Sequence, residues 1–194
     1  MALKLESEWS LRFQSLERTD AMRLQQEEIY KTLELVNRRY LSVSVGATRY
    51  TNVELEYLSK IAIIELSGWV ECTIDEILMS YTRRKILDIN EQSRIEKSIV
   101  ARVSGFDFER LSRPLFERIL GIAQCWDLIQ SLQSNGMLPI LISELDSLWK
   151  MRNRAAHTNW NGVTRTFDAP SVTVSRLRRL HPIVGYIKKR ISHL

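Results

Sequence analysis

The chain is predicted to be all-α, an antiparallel helical bundle, on three observations. Glycine and proline are scarce, 7 and 4 in 194 residues, so little of the chain is punctuated for turns. Apolar residues recur at spacings of three and four through most of its length, the period of an amphipathic helix. Runs that alternate apolar and polar residues, the mark of a half-buried strand, do not exceed about four residues.

The elements follow in order. Residues 4–18 and 20–42 are rich in helix formers, with Leu16, Leu24, Leu33, Val36 and Tyr40 spread over the helical period. Asp20 is placed to cap the second of these helices. Residues 42–52, SVSVGATRYTN, read as a loop. Asn52 is then the expected cap of a long helix over about 53–85, whose apolar residues cover more than one face. Such a helix should be central and buried on several sides. Gly68 in its middle costs about 1 kcal/mol relative to Ala, and close approach of another helix is the expected compensation.

Further helices are predicted over about 89–103, 107–123 and 125–133, ending at Ser134-Asn135-Gly136. Pro139 suits the first turn of the next helix, which carries Leu138, Leu141, Ile142, Leu145, Leu148 and Trp149 and leads into Lys150-Met151-Arg152-Asn153-Arg154-Ala155-Ala156-His157. Residues 158–169 read as a loop. The last helix is expected over about 170–191, kinked at Pro182. These elements form one domain over 1–194, with long N-terminal helices at 4–42 and a core bundle over about 53–191.

Composition excludes several classes. No apolar stretch reaches the roughly 18–20 residues that span a bilayer, and MALKLESEWS lacks a basic and then apolar leader. A cytoplasmic protein with no membrane partner is expected. Cys72 and Cys125 form no CxxC and are expected to be reduced, mostly buried thiols. There is no phosphate-binding glycine loop, no GxSxG, no HExxH, and no metal-ligand spacing, so neither metal nor cofactor is expected.

The charge distribution is uneven. Residues 1–80 are net −4, residues 81–149 are neutral, and residues 150–194 carry 10 Lys/Arg against Asp168 alone. A concentrated basic segment attracts phosphates, although a solvated basic face serves solubility equally.

The stretch RNRAAH ends a strongly amphipathic helix with permanent charge at Arg152 and Arg154 and a titratable group at His157. Arg and His together suit phosphodiester cleavage in RNA. A His can take a proton from the ribose 2′-OH or give one to the leaving 5′-oxygen. An Arg can stabilise charge on the non-bridging phosphate oxygens. Arg152 and His157 lie about 140° apart on a regular helix, whereas Arg154 and His157 are surface neighbours at i,i+3. Spacing leaves both arginines as candidates. The same residues could instead complement the dipole at a helix C-terminus. Trp160, in the loop beside them, is the best base-stacking candidate among the tryptophans.

Leu148 to His157 resembles the signature of HEPN proteins, an Arg followed by a polar residue and then a His after a short spacer; Asn153 and Ala156 match its commonest form. The segment Ile64-Glu65-Leu66-Ser67-Gly68-Trp69-Val70-Glu71 is similar to the second helix of the RiboL-PSP-type HEPN branch. Asn159 stands where some branches carry a Tyr. The resemblance covers about 53–190 and implies a helical bundle that dimerises, with paired Arg/His motifs in one interfacial cleft. It implies a metal-independent endoribonuclease, a toxin or antiviral-defence effector, with a possible cognate antitoxin. Arg152 would then stabilise the transition state, His157 would act as acid/base, and Asn153 would orient the phosphate or the His. Glu71, Glu65 and Arg154 would support the site, with Lys150, Trp160 and Arg165 contacting RNA. The alternative is a non-catalytic helical module of the same fold that binds nucleic acid or a partner protein.

Overall fold

A computed structural model describes residues 27–45, 49–156 and 166–194. They form seven α-helices with short 3-10 and π-helical turns, and no strand occurs among the described residues. The expected helix over 4–18 and the start of the next, with its cap Asp20, lie outside the described residues. The rest of that second helix is α1, over 27–44.

Helix α2 (Arg49–Lys85) is the longest element. It begins before the expected cap, and Asn52 lies inside it. Residues 49–52 contain no Gly or Pro, and extending an existing helix backward through them gains one hydrogen bond per residue. Helix α2 packs against α3 (Ile89–Ser98), α4 (Arg113–Leu120), α6 (Met137–Ala156) and α7 (Pro170–Ser192). Ala62, Ile63, Leu66, Val70 and Leu78 are fully buried along it. With its other buried positions they occupy about 200° of the circumference, so the expectation of a central helix holds.

Gly68 departs from expectation. It is exposed, and a Cβ added there would meet nothing within 4 Å. It lies on the same side of α2 as the exposed Ile64, Glu65 and Cys72, and none of the described helices approaches it. Cys72 is likewise exposed rather than buried, whereas Cys125 is buried; both are free thiols. Burial, followed by the charge of Glu117, pushes the Cys125 thiol up to about 11.

Asp88 caps α3, its carboxylate accepting from the backbone N–H groups of Asn90 and Glu91. The helix expected over 107–123 is divided. A π-helical turn over Phe108–Ser112 leads into α4, which stops at Gly121 with φ 88°. Helix α5 (Ile122–Ser134) follows and turns into α6 at Gly136 with φ 66°. Asn135 and Gly136 are the break the sequence predicts. Helix α7 matches its predicted span and continues unbroken through the exposed Pro182.

Side-chain contacts fix the helix directions. Glu144 of α6 accepts from Arg176 at 2.8 Å and from Arg179 at 2.6 Å, while Arg154, later in α6, lies over Phe167, just before α7, so α6 and α7 are antiparallel. Helices α2 and α7 are parallel instead. Trp69 stacks on His181 at 6.5 Å, and fifteen residues on Arg84 donates to the carbonyls of Ile191 and Ser192. The bundle is therefore not uniformly antiparallel: α2, α6 and α7 pack against one another, and α6 runs against the other two.

Glu144 is the most consequential ion pair in this arrangement. Its side chain and that of Arg176 are 11% and 13% exposed. Removing a buried charge leaves its partner uncompensated. Glu144→Gln is expected to lower unfolding stability by about 3 kcal/mol, read as a lower urea midpoint with an unchanged m-value.

Candidate functional site

Helix α6 carries the RNRAAH stretch and is regular through Ala156. Its inner face buries Leu141, Leu145 and Leu148. One step round the helix from Leu148, Trp149 is half-buried, and its ring meets Phe106 edge-on at 5.6 Å between centroids. Arg152 follows at i+3, the spacing that places two helical side chains side by side. Its guanidinium lies over the Trp149 ring, 5.3 Å from the centroid.

The ring is held by the segment between α3 and the π-helical turn. Gly105 there has φ 114°, a conformation that L side chains rarely adopt. A Cβ at this position would collide with two carbons of the Trp149 ring and come within 2.9 Å of Leu111. The backbone N–H of Gly105 donates to Glu71 Oε1 of α2 at 2.5 Å. Thus Glu71 fixes Gly105, Gly105 admits the Trp149 ring, and Trp149 supports Arg152. Two further anchors hold the same segment. The N–H of Phe108 donates to Asp146 Oδ1 at 3.1 Å, and Asp107 accepts from the backbone and side chain of Arg110. The Arg110 hydrogen bond, opposed by burial and aided by the charges of Arg110 and Lys150, holds the Asp107 carboxyl below its ordinary value.

The two candidate arginines are now distinguished. Arg154 is exposed, lies in the last turn of α6, and has its guanidinium 5.9 Å from the centroid of Phe167. Lys60 of α2 approaches the same ring at 5.5 Å. Arg154 therefore fastens the segment before α7 and is placed to complement the α6 dipole. Arg152 lies half-buried two residues further in, about half a turn. Its hydrogen bond is a long one, 3.4 Å to Asn153 Oδ1, and it makes no ion pair among the described residues.

Of the other residues singled out by sequence, Asn153 is half-buried beside Arg152, and Lys150 is exposed on the same helix. Glu71 reaches the site through Gly105. Glu65 is exposed on the Gly68 side of α2 and makes no hydrogen bond or ion pair among the described residues. His157, Trp160 and Arg165 lie outside the described residues. Among those described, no three His, Cys, Asp or Glu side chains gather as a metal site, and no helix is long and apolar enough to cross a membrane.

Three contributors were not singled out beforehand as parts of the site. Trp149 stands three residues before Arg152, so its role was legible as a helical pair. Gly105 and Phe106 lie more than 40 residues away in the chain, and only the fold brings them together. Comparisons with protein-family models, curated proteins and solved structures find no match.

Two predictions follow from this packing. Gly105→Ala combines a strained backbone with a collision against the indole. It is expected to destabilise by roughly 2–4 kcal/mol and to change Trp fluorescence in the native state. Asp75 lies one turn after Glu71, and its carboxyl is pushed up to about 6 by burial and then by the Glu71 charge. The folded state therefore binds this proton more tightly than the unfolded chain. Stability from this group is full below the ordinary value of 3.8 and is lost as pH rises through about 6. Asp75→Asn is expected to flatten the dependence of Tm on pH across that window and to raise Tm at neutral pH.

Proposed function

We propose that this protein is a cytoplasmic, metal-independent endoribonuclease with Arg152 and His157 as its catalytic pair. The observation that carries the reading is Arg152. A half-buried guanidinium, oriented by an aromatic face and not neutralised by a carboxylate among the described residues, is suited to bind phosphate oxygens. Asn153 adds an amide beside it.

In the proposed reaction the ribose 2′-oxygen attacks phosphorus and the P–O5′ bond breaks. The 2′-OH proton passes to a base and the departing O5′ receives a proton. The imidazole of His157 serves in these transfers because its ordinary pKa lies near neutrality. The guanidinium of Arg152 offsets the added negative charge on the non-bridging oxygens. RNA brings its own nucleophile, and the products are a 2′,3′-cyclic phosphate and a 5′-hydroxyl.

The resemblance to HEPN proteins supports the same reading and extends it. A homodimer with the site at its interface would bring two such motifs together and relieve the 140° separation. A role as a toxin or antiviral effector, held by an antitoxin, rests on that resemblance alone.

The test is incubation of purified protein with a mixture of tRNA and mRNA in excess EDTA. Cleavage leaving cyclic phosphate ends is expected, reduced about 10²–10⁴-fold by His157→Ala and strongly by Arg152→Ala. Arg154→Ala should affect thermal stability more than rate. Intact RNA with the wild-type protein would sink the enzymatic reading and favour a binding module.

A further inference from the structure

The basic C-terminal segment does not fold into one patch. In the middle of α7, Arg176 and Arg179 are committed to Glu144. What remains on the solvent face of the helix is Arg178, then Lys189 and Arg190, all exposed. These three side chains make no ion pair among the described residues, and α7 contains no acidic residue.

A helix C-terminus attracts cations through its dipole, but here that role is already filled. Arg84 of α2 donates to the carbonyls of Ile191 and Ser192, and Lys85 donates to that of Leu194. The acceptors on Arg84 are neutral, so its full positive charge stays at this end of the bundle. Helices α2 and α7 are parallel, and their basic last turns coincide there. Lys188 is half-buried in the same turn, where desolvation, only partly countered by Glu76, lowers its pKa. Glu76 is itself paired with Arg83. The nearest acids after Lys85 in the chain, Asp88 and Glu91, are taken by the first turn of α3 and by Arg94.

We infer that this pole, with Lys189 and Arg190 as its free cations and Arg178 three turns back along α7, is a docking surface for the RNA backbone, separate from the site at Arg152. Arg152 lies two turns beyond Glu144 towards one end of the bundle, and Arg190 lies three turns beyond Arg179 towards the other. The two places are on the order of 30 Å apart along the helix axes. The pole therefore holds a long RNA whose distant part reaches Arg152, and it contributes nothing to a short one. The inference rests on the reading of RNA as the substrate.

The experiment measures binding without cleavage. A 2′-O-methyl RNA has no free 2′-OH and survives in contact with the wild-type chain. Its anisotropy titration at several salt concentrations is compared with that of the combined variant Arg178→Gln, Lys189→Gln, Arg190→Gln, whose exposed helical positions tolerate Gln. The variant is expected to bind a long RNA at least tenfold more weakly, with the slope of log K against log salt smaller by about 2. A short oligonucleotide should bind both proteins alike. Equal affinity and equal slope for the long RNA, in a variant with wild-type circular dichroism and melting, would overturn the inference. So would wild-type protein that does not bind the long RNA at all. Because no cleavage is read, an inactive Arg152 site would leave this result unaffected, and the two readings fail separately.

Discussion

The burial of α2 sets the geometry on which the rest of the molecule depends. Its apolar residues occupy more than half of its circumference, so it cannot lie on a surface and must be covered by several helices at once. Each fully buried Leu or Ile contributes about 1.5–3 kcal/mol, and positions such as Ile63, Leu66 and Leu78 are fully enclosed. Helix α7 covers one flank in parallel, α6 another in the opposite direction. The side left open by the described helices holds Ile64, Glu65, Gly68 and Cys72. Gly68 has no close neighbour there among the described residues, and the burial of the rest of α2 outweighs its modest propensity cost.

From that scaffold the position of Arg152 follows through a short series of contacts. Glu71 is fixed because α2 is fixed. Its carboxylate holds the backbone of Gly105, which has no Cβ and so leaves space for Trp149. The indole then presents its face to Arg152. An arginine in the last turn of a helix would be explained by the dipole alone, and Arg154 is so explained. Arg152 is not in that turn, yet it is half-buried. Its cation–π contact and long bond to Asn153 leave donors of the guanidinium open. A group partly removed from water and left without a counter-charge among the described residues is better matched to a phosphate than to a structural role.

Much of the fold was legible because its signals are local. The end of α5 and the spans of α6 and α7 follow from apolar spacing and from Asn135-Gly136, whereas the start of α5 at Ile122 was not foreseen. Boundaries failed where a local signal was overridden. Asn52 is a good capping residue, but a helix already nucleated continues through Arg49–Asn52 at little expense. The π-helical turn at Phe108–Ser112 lies where Phe106 meets the Trp149 ring and the Phe108 N–H donates to Asp146 of α6, contacts that spacing does not encode. The candidate site divides in the same way. The pairing of Trp149 with Arg152 is an i,i+3 relation, while the part played by Gly105 depends on a contact across the fold. The helical angle did not separate Arg152 from Arg154, and the fold sets them against different rings, Trp149 and Phe167.

The charge of the chain illustrates a related limit. Residues 150–194 carry the whole positive excess of the sequence, and a sequence reading treats them as one attractive segment. In the fold, α6 and α7 run in opposite directions, so the basic ends of the two helices point away from each other. Between them Glu144 holds Arg176 and Arg179 and offsets one of their two charges, both of which a count assigns to the same excess. Arg84, more than 100 residues earlier, joins the far end instead. Positive potential is therefore divided between two ends by an antiparallel connection and one buried carboxylate. A polyanion would meet these ends as separate sites, each with its own surroundings: at Arg152 an aromatic face and restricted solvent, at Lys189 and Arg190 an open surface where attraction is long-ranged and salt-sensitive. The first environment suits recognition of a single phosphate and the second suits retention of a chain.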